Sequence, residues 1–147
     1  MIPKETYMAQ ALALAREAAS HGDIPVGCVI VQNGEVIGRG CNRRELLADA
    51  TAHAEVEAIR EACHRLGTWR LTDCDLYVTL EPCPMCAGAI LNARLGRVIY
   101  GAANPKAGCC GSVIPLFLER FNHRPEVYGG VLEQECAELL GLFFEEK

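Results

Sequence analysis

The sequence predicts an α/β protein built on a single mixed five-stranded sheet with helices on both faces. Three observations predict it. Stretches with apolar residues at helical spacing alternate with short apolar runs of strand length. The first two runs are joined only by Gln32-Asn33-Gly34, a hairpin signal, whereas later runs are separated by helices long enough for crossovers, so antiparallel and parallel pairing are mixed. The 147 residues carry no internal repeat, linker or low-complexity stretch and amount to one domain, residues 1–147.

The elements follow in order. Met8, Leu12, Ala15 and Ala19 recur at helical spacing in KETYMAQALALAREAAS, and His21-Gly22 supplies a stop, so the spacing predicts a first helix over 4–20. IPVGCVIV and EVIGRGC form the hairpin, with Asn33-Gly34 supplying the positive φ angles of its turn. A second helix is expected over 51–66, capped by Thr51. CDLYVTL is a buried strand, and a third helix follows EPCPMC to about Arg94. RVIYGA and EVYGGV are the fourth and fifth strands, separated by a long loop, and a last helix spans 133–144.

Composition excludes several classes. Half the residues are apolar and 22% are charged, which places the chain among ordered globular proteins. No apolar run reaches the roughly 18–20 residues of a membrane span, and the first twenty residues lack a signal-peptide layout, so no membrane association and a cytoplasmic location are expected. Nine cysteines are an odd number for a disulfide framework and fit a metal site with buried free thiols. The net charge is −5, but residues 92–124 hold five Lys/Arg against one acid, between two acidic segments. A nucleic-acid partner is therefore compatible only with a local basic face.

Chemistry concentrates in two stretches. Cys83 and Cys86, three apart at the start of a helix, converge on one point where helix N–H groups favour thiolates. Alone, such a pair also suits a redox dithiol or half of a structural zinc site. His53 stands at another helix start, and adding it gives a Cys2His set that suits zinc and leaves a fourth position for water. A closed structural site would need a further ligand, with Cys74, Cys109, Cys110 and His123 as candidates, and would have no use for Glu55. Two residues from His53, Glu55 is placed to take a proton from an activated water and pass it to a leaving group. Glu57 and Glu61 read as ordinary exposed helix charges.

HAE at 53–55 with PCPMC at 82–86 matches the signature of the zinc nucleobase deaminases. Together with IPVGCVIV, GRGCN, LYVTLEPCPMCAGAI, RVIYGA, PKAG and NHRPEV, it makes the chain resemble the bacterial tRNA-specific adenosine deaminases from about residue 5 to residue 144. The resemblance implies a cytidine-deaminase-like fold and one zinc ion per subunit, held by His53, Cys83 and Cys86. It also implies hydrolytic conversion of the wobble adenosine of a tRNA anticodon to inosine, with zinc-activated water attacking C6 of the flipped-out base and Glu55 shuttling protons. A homodimer and an anticodon stem-loop are the implied partners.

By the same resemblance, the backbone around Ala54 and the turn Leu80-Glu81-Pro82 help seat the base and the leaving group, Asn42 contacts the nucleoside, and Asn104, Lys106, Asn122, His123 and Arg124 contact flanking nucleotides. Phe144 stacks on a neighbouring base or, with Phe143, packs in the core; the last helix ends LLGLFFEEK without a basic arm. Two other readings stand beside this one: a small-molecule deaminase acting on guanine, cytosine or a free nucleoside, and a non-catalytic zinc module.

Overall fold

The structure, a computed structural model, describes residues 3–145, so Glu146 and Lys147 of the acidic C-terminal segment lie outside the described residues. The chain runs through α1 (Glu5–Ser20), β1 (Gly27–Gln32), β2 (Glu35–Cys41), α2 (Arg44–Leu47), α3 (Ala54–Leu66) and β3 (Cys74–Leu80). It continues through α4 (Pro84–Ala93), β4 (Arg97–Ala102), a single 3₁₀ turn at Leu116–Leu118, β5 (Glu126–Tyr128) and α5 (Glu133–Glu145). The sheet order is β2-β1-β3-β4-β5. β1 pairs antiparallel with both β2 and β3, whereas β3–β4 and β4–β5 are parallel. The hairpin turns at Asn33 and Gly34, both with positive φ.

Alternation along β1 explains why GCVIV reads as an unbroken apolar run. Cys28 and Ile30 face one core with Leu76, Val78 and Val98, beneath α3 and α4. Val29 and Val31 face the other with Tyr77 and Ile99, beneath α1 and α5. Both faces are covered, so neither offers a polar stripe. Ile90 and Leu76 are fully buried, and each such side chain contributes roughly 1.5–3 kcal/mol relative to exposure.

Close approach of α3 to the sheet is set by Gly40 in β2. A Cβ there would stand 2.2 Å from the Ala54 carbonyl oxygen, so only a residue without one lets the start of α3 rest on the strand.

Four details differ from the sequence reading. Thr51 does not cap α3; its hydroxyl and N–H both donate to Asp49 Oδ1 at 2.8 Å, and the N-cap is His53. The four-residue α2 is an addition, its Glu45 and Leu46 N–H groups donating to the buried carboxylate of Asp23 at 2.7 and 3.3 Å. β5 stops at Tyr128, before the two glycines expected to extend it. Glu57 and Glu61 are engaged: Glu57 accepts from Arg43 Nε at 3.2 Å and Glu61 from the Arg39 N–H at 2.9 Å, tying α3 to β2 and the turn that follows it.

Candidate active site

Two helix starts on the same face of the sheet carry the chemistry-bearing residues. Cys83 is the N-cap of α4, which Pro84 opens with its fixed φ and no N–H to leave unpaired. His53 is the N-cap of α3. His53 Nδ1 therefore lies 3.7 Å from Cys83 Sγ and 3.5 Å from Cys86 Sγ, and the three ligand atoms all fall within 4.8 Å of one another. Zinc bound tetrahedrally, with Zn–S near 2.3 Å and Zn–N near 2.0–2.1 Å, sets N···S separations of about 3.5 Å. The spacing fits that ion. No fourth His, Cys, Asp or Glu joins the group among the described residues, and His123, one candidate for a closed site, instead contacts the Leu95 carbonyl oxygen at 2.7 Å through Nε2.

The electrostatics divide the two cysteines. The Cys83 thiol is drawn down to about 4, first by the Cys86 thiol that donates to it and then by His53, against the cost of its burial. Cys86 is pushed far up, by that same contact and by its burial. Without a metal the pair is a thiolate sharing the proton of a thiol. Glu55 is 4% exposed, and burial raises its carboxyl to about 7, with the negative charge of Cys83 adding to the rise and His53 opposing it. A carboxyl poised near neutrality can both accept and release a proton at working pH.

His53, Cys83 and Glu55 line a cavity of about 340 Å³, within the range that holds small ligands. Each of two rims is tied to a buried carboxylate. Asp23 holds α2, which brings Arg44 and Glu45 to one side. Glu81 holds the segment after β4, which brings Asn104 and Ala107 to the other. Burial favours the neutral acid of Glu81, but hydrogen bonds from Ser112, Asn104 and Cys110 prevail and hold its carboxyl below the ordinary value. Asp23 has no sequence signal, since a single acid has no spacing to mark it; Glu81 falls within LYVTLEPCPMCAGAI, but nothing in that stretch shows that its carboxylate holds the segment after β4.

The other expected site residues separate into two groups. Asn42, Asn104 and Phe144 line the cavity. The Asn42 side chain is committed to backbone, donating to the Ile24 carbonyl at 3.1 Å and accepting the Ala54 N–H at 3.0 Å. Ala54 is buried and its N–H is thereby taken. Phe144 is 56% exposed while Phe143 is 8% exposed, the two rings meeting edge to face at 5.5 Å. Lys106 is exposed beside the rim. Asn122, His123 and Arg124 do not line the cavity: His123 is held near the start of β4, whereas the cavity lies at the sheet end where Leu80 meets Ala102. Arg124 donates to the Leu118 carbonyl at 3.0 Å.

The chain as a whole is similar to known proteins. A family model for MafB19-like deaminases matches residues 2–146. The chain is 51% identical over 147 residues to the tRNA-specific adenosine deaminase of Bacillus subtilis (strain 168), an alignment covering 99% of this chain and 91% of that one. A solved structure from studies of A-to-I editing by tRNA:A34 deaminases at the wobble position of transfer RNA superposes with a TM-score of 0.89 at 47% identity, covering 92% of this chain and 99% of the other. A guanine deaminase from Bacillus subtilis superposes with a TM-score of 0.67 at 44% identity, covering 80% of this chain and 74% of that one. With half its residues shared along nearly its whole length, the chain belongs to the MafB19-like deaminase family, on the branch of the tRNA-specific adenosine deaminases.

Proposed function

We propose that the chain deaminates the wobble adenosine of a tRNA anticodon loop, consuming water and releasing inosine and ammonia. The observation that carries this reading is a buried acid, Glu55, beside a three-ligand His/Cys/Cys cluster on the wall of a base-sized cavity. His53, Cys83 and Cys86 are the zinc ligands. When bound, zinc lowers the pKa of a water molecule so that it attacks C6 at neutral pH. Glu55 takes one proton of the attacking water and delivers it to the purine ring, then takes the proton of the hydroxyl now on C6 and passes it to the amine as the C6–N bond breaks. Burial of Glu55 keeps bulk water from competing for that proton.

The rims suit a single-stranded RNA loop whose target base is flipped into the cavity. Arg44 on the cavity lining and Lys106 exposed beside it contact phosphates, and the exposed ring of Phe144 stacks on a flanking base. Asn42 fixes the start of α3, and with it His53 and Glu55, through the Ala54 N–H; Asn104 meets the nucleotide at the opposite rim. Asn122, His123 and Arg124 contact RNA outside the cavity.

The chain forms a homodimer through α3 and α4. A groove between these helices, lined by Val56, Ile59, Ala89 and Ala93, ends at Trp69, which is 54% exposed. Small residues there permit close packing of a second copy. The described residues include no helix long and apolar enough to cross a membrane. A tRNA substrate puts the enzyme's work in the cytoplasm.

Incubating the zinc-loaded protein with an anticodon stem-loop carrying a wobble adenosine, and separately with adenosine, cytidine and guanine, tests the reading. Inosine at the wobble position with no ammonia from the free compounds is expected. Turnover of guanine or a free nucleoside without inosine in the RNA would replace it with the small-molecule reading, to which the guanine deaminase likeness lends support.

A further inference from the structure

Glu81 is a buried carboxylate that the deamination chemistry leaves unused. Its side chain is 1% exposed, and it stands two residues before Cys83, yet its oxygens are spent on another segment. Oε1 accepts the Asn104 N–H at 3.0 Å and the Ser112 hydroxyl. Oε2 accepts the Cys110 N–H at 2.8 Å and the Ser112 N–H at 3.1 Å. An ionised carboxylate offers about four lone-pair sites, so each is filled.

The donors sit on residues 104–112, which form neither helix nor strand apart from one bridge between Cys110 and Pro115. Backbone without a ladder needs other partners for its polar groups, and the Glu81 carboxylate serves as the post around which this loop is wound. Gly108 makes the fit possible, because a Cβ there would lie 2.3 Å from the Glu81 carboxyl carbon and 2.5 Å from both oxygens. The hold reaches the cavity through Asn104. That residue lines the rim, and its side-chain oxygen accepts the N–H groups of Lys106 and Ala107 at 3.3 and 3.2 Å. One carboxylate thus fixes the positions of Asn104, Lys106 and Ala107 together.

We infer that Glu81 is a positioning residue that holds the 104–112 loop as a preformed RNA-binding rim, so that it governs how well the RNA loop is gripped and not how fast the base reacts. The inference rests on the reading of the chain as an RNA deaminase. Energetically, a rim already ordered in the free protein spares the RNA the cost of ordering it on binding.

The test uses the zinc-loaded full chain and the anticodon stem-loop. Glu81→Gln keeps the side chain's shape but turns an NH₂ group toward backbone donors. Its KM is expected to rise about tenfold or more, the scale of losing hydrogen bonds to a charged group, with kcat within about threefold of wild type and zinc content unchanged. Ser112→Ala, which removes one donor of four, should raise KM by less. Gly108→Ala, which forces the carboxylate off the loop, should reproduce the same split, and these two variants carry the test if Glu81→Gln fails to fold.

Hydrogen exchange reads the hold without any substrate. The amides of Cys110 and Ser112 should lose protection in Glu81→Gln while those of α4 keep theirs. A wild-type KM in Glu81→Gln, a fall in kcat alone, or unchanged protection would overturn the inference. Absence of inosine with the wild-type protein would sink the functional reading instead, leaving exchange to decide whether Glu81 holds the rim.

Discussion

A thiolate paired with a thiol at the first turn of α4 is the sharpest chemical feature of a single residue here. Cys83, drawn down to about 4 and half-buried on the cavity wall, is ionised at pH 6, where an ordinary cysteine with a pKa near 8.5 is less than about 1% thiolate. Metal-free protein treated with iodoacetamide at pH 6 should therefore be alkylated first at Cys83, as read by peptide mass mapping, and zinc should suppress the reaction. Phe144 gives a second prediction at this scale. Its ring is exposed at the cavity, so Phe144→Ala should raise KM for a stem-loop by roughly tenfold, since stacking on one base is worth about 1–3 kcal/mol, while Phe143→Ala should lower stability instead. His53, Glu55, Cys83 and Cys86 are legible in the sequence because a metal site imposes ligand types and spacings that few other roles require. Asp23, the loop-holding contacts of Glu81 and the two hydrogen bonds of Asn42 are not, because each acts mainly on backbone groups whose nearness only the fold decides.

At the scale of elements, local pattern carries most of the information. The apolar spacing of α1 and the unbroken apolar run of β1 each express a burial requirement that the structure meets, although Ala19 of α1 is only half-buried, and the Asn33-Gly34 turn expresses a positive-φ requirement. Where tertiary contacts outweigh local preference, the sequence is silent: α2 is too short to nucleate by itself and exists because Asp23, about twenty residues earlier, takes its first N–H groups. Thr51 has the right chemistry for a cap, but Asp49 claims its hydroxyl and moves the helix start to His53. That shift matters for function, since it places the ligand on the cap and Glu55 in the first turn. The seat of α3 depends on Gly40. Gly40→Ala should destabilise the protein by about 3 kcal/mol, the upper range for forcing an extra carbon into a packed interface, seen as a lower urea midpoint; an unchanged midpoint would mean that α3 is free to lift from the sheet.

Across the whole molecule, charge limits the manner of RNA binding. A net charge of −5 gives no long-range attraction to a polyanion, and among the described residues Arg44 is the one Lys or Arg on the cavity lining, with Lys106 exposed on the loop behind Asn104. With Arg124 as a third contact outside the cavity, affinity for the stem-loop should fall with salt at a log–log slope of only about −2, as for about three phosphate contacts at roughly −0.7 each. Arg44→Ala should lower that slope by about 0.7 when binding is titrated at several salt concentrations. The mixed pairing of the sheet is legible from the hairpin followed by crossovers, whereas the positions of Asn122, His123 and Arg124 are not: their basic character marks a surface, but the pairing of β5 with β4 carries them toward the far end of the sheet from the cavity.

The most direct measurement compares wild type with Glu55→Ala, each loaded with zinc, for inosine formation in an anticodon stem-loop and for zinc per chain. Wild type should convert the wobble adenosine, and Glu55→Ala should keep one zinc per chain yet be slower by at least about 10³-fold, within the range for losing a general acid/base. Inosine formation by Glu55→Ala at near the wild-type rate would contradict the assignment of the proton transfers to this buried acid.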